Sequence, residues 1–145
     1  MRWSKIIICT DADEDGYQIR TLILTLFYRL LPTLIREGRV YIAETPLYEI
    51  NTKEDTFFAY DEQEKISILS KIGNSKYTIQ RSKGLGENDA DMMSRTTMAP
   101  ASRKLVRITP DDEAKTYEMF DVLLGDNLAG RKQFIAENGA RYLDL

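Results

Sequence analysis

A chain of 145 residues, 43% hydrophobic and 30% charged, has the length of one domain with a small appendage and the composition of an ordinary core-forming protein. It has no histidine, which excludes imidazole catalysis and imidazole metal ligation, and its one cysteine excludes an intrachain disulfide and fits a reducing compartment. The net charge of −3 argues against a uniformly basic nucleic-acid binder, yet eight basic residues against three acidic ones between Lys71 and Arg107 can present a local positive face.

Ile6-Ile7-Ile8 is β-branched, apolar throughout and too short for a helix. It predicts a buried strand covered on both faces. Met1 to Lys5 leads straight into it with no signal-peptide pattern, and no apolar run along the chain is long enough to span a membrane. Cys9, at the end of the strand, reads as a small core hydrophobe.

The strand feeds Asp11, Asp13 and Asp15, which fall at alternate positions and are closed by Gly16. Loops at the carboxyl ends of strands are where open α/β sheets bind ligands. Hard oxygen donors suit Mg²⁺, which takes one or two protein carboxylates and keeps room for water and phosphate. Gly16 allows a sharp turn without a Cβ clash, wherever φ must be positive. The run also reads like an EF-hand loop. That loop needs a bidentate Glu at its twelfth position, where this chain has Leu22, and an apolar eighth, where it has Gln18. A plainer alternative is an acidic turn that favours the positive end of the following helix.

Apolar residues then recur at Ile19, Leu22, Ile23, Leu26, Phe27, Leu30, Leu31, Leu34 and Ile35, a helical stripe expected to face the core. Pro32 predicts a break and Gly38 the end of the helix. Val40 to Ala43 completes a strand–helix–strand unit, which implies a parallel pair. The stretches Thr45–Ile50 and Thr56–Tyr60 suggest a hairpin, Asp61-x-x-Glu64 opens a helix running to about Ile72, and Tyr77–Gln80 is a further strand.

Arg81-Ser82-Lys83-Gly84-Leu85-Gly86-Glu87 is a glycine-punctuated loop with two cations, suited to a phosphate or to a plain structural turn. It is no Walker loop, because no G-K-[ST] follows. Thr96-Thr97-Met98-Ala99-Pro100-Ala101-Ser102-Arg103-Lys104-Leu105 carries a basic pair near its end, Arg103-Lys104, which by itself suits a phosphate contact or a solvated basic turn equally. Thr109 is expected to cap a helix that buries Tyr117, Phe120 and Leu124. Gly125-Asp126-Asn127 separates it from a last short helix.

Three of these segments carry a resemblance. Thr10 to Gly16 with Ile19-Arg20-Thr21-Leu22 resembles the D-x-D-x-D-G half of a TOPRIM domain. Arg81 to Glu87 resembles an R-x-K-G-L-G-E stretch. Thr96 to Leu105 resembles a T-T-M-x-P-x-S/T-R-R-L segment, with Lys104 where a second arginine is common. In this order they resemble the B subunit of bacterial type IIA topoisomerases, gyrase and topoisomerase IV alike.

The resemblance implies an α/β fold. Residues 1–80 would be the C-terminal part of a TOPRIM domain, Rossmann-like with a parallel sheet and carrying a hairpin and helix insertion. Residues 81–145 would be an α+β C-terminal region. It implies Mg²⁺, replaceable by Mn²⁺ or Ca²⁺, on Asp11 and Asp13, with Asp15 a weaker third ligand. DNA contacts would come from Gln18 (a position where the family often has His), Arg20, Arg81, Lys83, Arg103 and Lys104.

The implied activity is that of an ATP-dependent type II topoisomerase in the cytoplasm, associated with the nucleoid. A tyrosine on the partner A subunit, within an A2B2 heterotetramer, cleaves and rejoins double-stranded DNA. The family's catalytic glutamate and its ATPase domain would lie before Met1. No residue here takes that glutamate's role, ATP would enter only through the absent domain, and the chain alone is expected to be inactive. The other reading is a non-catalytic, metal-stabilised DNA-binding or subunit-docking module.

Overall fold

The computed structural model describes residues 2–82 and 84–142. The chain forms two compact units, Met1–Ile108 and Thr109–Leu145. No helix among the described residues is long and apolar enough to cross a membrane.

The first unit is mixed α/β and is built on two three-stranded sheets. Strand β1 (Ile6–Ile8) runs parallel to β2 (Val40–Glu44), with Ile6 opposite Val40 and Ile8 opposite Ile42. Helices α1 (Glu14–Leu30) and α2 (Pro32–Arg36) make the connection. Pro32 begins α2, so the chain restarts a helix where proline removes a hydrogen bond from the old one. Gly38, at φ 63°, then turns the chain into β2 in a conformation that other residues adopt only with strain.

The core of this layer is Ile8, Ile35 and Val40, with Ile23, Leu24, Phe27, Tyr28, Leu34 and Ile42 packed against it. The sequence predicts a strand covered on both faces, but β1 lies at the edge of its sheet and only Ile8 is buried. The helical stripe is divided as well. Ile23, Phe27, Leu34 and Ile35 serve the core, whereas Ile19, Leu22, Leu26 and Leu30 are 50–71% exposed. At three- and four-residue spacings those four share one face of α1, a second apolar face beside the one that packs.

The third strand of this sheet, β6 (Lys104–Arg107), pairs antiparallel with β2. No strand is expected here from the sequence motifs, which end at the basic pair, although Leu105-Val106-Arg107-Ile108 has the residue types of one.

The second sheet has the order β4 (Thr56–Ala59), β3 (Tyr48–Thr52), β5 (Tyr77–Arg81), all antiparallel. Ile50 and Ala59 are fully buried in it. Thr52 closes the hairpin, its hydroxyl accepting from Asp55 N–H at 2.9 Å. Helix α3 (Glu62–Ile72) starts on Asp61, which accepts from Glu64 N–H at 2.7 Å, while the Glu64 carboxylate reaches back to Tyr60 N–H at 2.9 Å.

After β5 come a single 3₁₀ turn (Leu85–Glu87), the short helix α4 (Ala90–Met93) and a π turn (Ser94–Met98). Thr96 and Thr97 are buried there, and the Thr96 hydroxyl donates to Met92 O at 2.7 Å. Thr96 therefore holds backbone, whereas Met98, Pro100, Ala101, Ser102 and Lys104 are exposed and Arg103 is half-buried.

The second unit is α5 (Glu113–Leu124), α6 (Leu128–Asn138) and a final 3₁₀ turn. The expected cap at Thr109 is displaced to Asp112, whose carboxylate accepts from Ala114 and Lys115 N–H and so satisfies two otherwise unpaired donors. Arg131 closes the other end of α5, donating to Val122 O and Gly125 O. Tyr117, expected to be buried, is 67% exposed.

Candidate functional site

The centre of the site is Asp11. Its Oδ1 accepts a 2.7 Å hydrogen bond from Leu85 N–H, a residue 74 positions away in the chain. That bond joins the acidic loop after β1 to the glycine loop after β5. Two glycines lie against the same aspartate. A Cβ on Gly16 would stand 2.0 Å from the Asp11 carbonyl oxygen, and a Cβ on Gly84 would stand 3.6 Å from Asp11 Oδ2.

Neither glycine is needed for positive φ. Only Gly38 and Gly73 have it among the described residues, so at Gly16 glycine is required by close backbone approach and not by φ. Spacing cannot reveal this, because the two loops meet only in three dimensions.

The three aspartates have different local roles. Asp13 is the N-cap of α1, its Oδ1 accepting from Gly16 N–H at 2.8 Å. Asp11 and Asp13 are partly buried. Asp15 is exposed in the first helical turn, where the helix dipole favours a negative charge. Among the described residues no group of three or more acidic or sulfur side chains is gathered to hold a metal. Two carboxylates, each with one oxygen engaged by a backbone amide and the other available, fit the small protein share of a Mg²⁺ site. Cys9 precedes them in the loop, half-buried. Burial pushes its thiol up, Asp11 adds to this, and the Arg20 charge only partly opposes it.

The glycine loop is anchored at both ends. Ser82 is buried, its N–H donates to Leu47 O at 3.0 Å, and its hydroxyl donates to the Asn88 side chain. Glu87 N–H bonds Gly84 O at 3.1 Å and closes the 3₁₀ turn that aims Leu85 N–H at Asp11. Lys83 lies outside the described residues.

The remaining candidate cations divide by environment. Gln18 is exposed on α1. Arg20 turns back on its own loop, donating to Thr10 Oγ1 at 3.3 Å and stacking 5.1 Å from the Tyr17 ring centre, with Nε buried and unpartnered among the described residues. Arg81 is exposed on β5, 5.8 Å from the Tyr48 ring centre. Arg103 is half-buried and donates to Met98 O at 3.4 Å, closing the π turn.

Lys104 is committed to internal partners: Glu64 at 2.8 Å and the Tyr60 ring, 3.8 Å to its centre. The Lys104 hydrogen bond, followed by that from Tyr60 N–H, holds the Glu64 carboxyl below its ordinary value. The pair ties α3 to β6, but both side chains are more than 40% exposed, so its contribution is at most about 1 kcal/mol. Arg20 and Lys104 line one cleft of about 250 Å³ with Tyr17, Tyr60 and three carboxylates. A phosphate entering that cleft would meet three negative charges against two positive ones.

The chain was also compared with known proteins. Residues 1–45 match the Toprim domain family, and residues 74–136 match the family described as DNA gyrase B subunit, carboxyl terminus. The chain is 42% identical over 145 residues to the DNA gyrase B subunit of Thermotoga maritima, covering 100% of this chain and 23% of that protein. It is 48% identical over 143 residues to the DNA gyrase B subunit of Halalkalibacterium halodurans, covering 98% of this chain and 22% of that protein. It is 44% identical over 138 residues to the DNA topoisomerase 4 B subunit of Mycoplasma capricolum subsp. capricolum, covering 95% and 22%. The chain thus spans less than a quarter of the length of these relatives.

Proposed function

The chain belongs to the family of type IIA topoisomerase B subunits, gyrase B and topoisomerase IV B, and on that premise we propose that it is the part of such a subunit that presents a divalent cation to DNA during strand cleavage. Residues 1–80 are the C-terminal part of its Toprim domain, and residues 81–145 are its carboxyl-terminal region. The observation that supports the reading is the hydrogen bond from Leu85 N–H to Asp11 Oδ1, which makes one site of the acidic loop and the glycine loop.

Asp11 and Asp13 would hold Mg²⁺, and Asp15 would add negative charge nearby. When bound, the cation stabilises charge on the cleaved phosphate and on the leaving oxygen. Arg81, Lys83 and Arg103 meet the DNA backbone, positioning it without reading sequence. Gln18 and Arg20 flank the site, with Arg20 bracing the acidic loop through Thr10 and Lys104 joining the DNA side once released from Glu64. The nucleophile is a tyrosine of an A subunit, in an A2B2 assembly in the cytoplasm. ATP hydrolysis belongs to a domain not contained in this chain.

The alternative reading is a metal-stabilised DNA-binding or docking module without catalysis. Plasmid cleavage separates the two. The chain is mixed with a cognate A subunit, Mg²⁺ and a polypeptide supplying the remainder of the B subunit. Linear DNA that forms only when every part is present supports the proposal. Binding of DNA or of the A subunit, without cleavage in any combination, supports the docking module.

A further inference from the structure

Gly84 has φ −119° and ψ 148°, an extended conformation open to any residue. Its missing side chain therefore has another consequence. A Cβ there would meet nothing nearer than the Asp11 carboxylate, at 3.6 Å from Oδ2, 3.7 Å from Cγ and 3.8 Å from Oδ1. The next residue supplies the amide that takes Oδ1. One residue thus keeps space over the carboxylate, and its neighbour fixes how the carboxylate is turned. A Cβ on Gly86, two positions on, would meet nothing within 4 Å, so that glycine plays no part in this contact.

We propose that the Gly84–Leu85 turn is a positioning element for Asp11: the Leu85 amide pins one carboxylate oxygen, and the bare Gly84 leaves the other open to a divalent cation. Asp11 then binds through a single oxygen, in a fixed orientation, with an amide as outer support for the ligand. This assigns the glycine loop a role toward the metal, in addition to any contact its cations make with DNA. The inference rests on the metal reading above.

The test measures Mn²⁺ affinity of the full 145-residue chain from the free-ion electron paramagnetic resonance signal, alongside the thermal midpoint. Gly84→Ala introduces no overlap, so the fold should persist. Leu85→Pro deletes the amide donor. Proline suits the first residue of a helical turn, and Gly84 already has the extended backbone that a residue before proline prefers.

Loss of an outer partner of a metal ligand typically weakens binding about 10–100-fold. Each variant is expected to weaken Mn²⁺ binding by about tenfold or more with an unchanged midpoint, while Gly86→Ala binds like the parent. Parental affinity in both Gly84→Ala and Leu85→Pro would overturn the positioning role and leave the metal reading intact. If Leu85→Pro does not fold, Gly84→Ala alone decides. Absence of Mn²⁺ binding in the parent chain would overturn the metal reading and this inference together.

Discussion

Gly16→Ala is expected to lower the thermal midpoint of the chain by more than about 10 °C, measured by far-ultraviolet circular dichroism. Gly16 lies in the first turn of α1, where alanine is the better helix former by up to about 1 kcal/mol. The added methyl would stand 2.0 Å from the Asp11 carbonyl oxygen and 2.7 Å from its carbonyl carbon. Both are backbone atoms of the loop leaving β1, so no side chain can swing aside. Forced overlap of this kind costs roughly 3 kcal/mol. The clash therefore outweighs the propensity gain, and a net loss of roughly 2–3 kcal/mol corresponds to about 10 °C or more in a unit of this size. Gly86→Ala is the control, since a methyl there meets nothing within 4 Å. A midpoint for Gly16→Ala equal to that of the parent would show that the acidic loop relaxes freely.

Asp13→Asn is expected to reduce DNA cleavage about a hundredfold or more in the complete enzyme, while ATP hydrolysis and the thermal midpoint stay close to parental. The separation follows from the two tasks of one side chain. As an N-cap, Asp13 needs only an oxygen for Gly16 N–H, and asparagine caps as well as aspartate. As a metal ligand it needs its charge, which asparagine lacks. Removing even an outer partner of a ligand costs about 10–100-fold, so loss of a ligand's charge should cost at least the upper end of that range. Parental cleavage would remove Asp13 from the metal site and leave it a cap.

Much of this arrangement is legible in the sequence, for identifiable reasons. The parallel pair, the break at Pro32, the hairpin and the helix opening at Asp61 are each set by local chemistry, and each stands where the residues place it. The divided face of α1 is not legible, because periodicity shows which residues share a face and not what covers it. The exposure of Tyr117 escapes the sequence for the same reason. The shift of the α5 cap from Thr109 to Asp112 is a choice between two good capping residues three positions apart, and two satisfied amides favour the aspartate.

At the site, the three aspartates and the glycine loop are separable as motifs. Their meeting through Asp11 and Leu85 depends on a contact spanning 74 positions, which no local rule encodes. The likeness to a known family supplies the order of the motifs, and the packing around Asp11 supplies a physical reason for two of their glycines.

In the proposed site Asp11, braced by the glycine loop, anchors a divalent cation. The most direct measurement of this anchoring is paramagnetic broadening of the amide resonances of the ¹⁵N-labelled chain by trace Mn²⁺. Broadening is expected to centre on Ala12, Asp13 and Leu85, to disappear on adding excess Mg²⁺, and to be absent in Asp11→Asn. Broadening spread over the acidic residues between Thr109 and Asp126, with Leu85 left sharp, would contradict it.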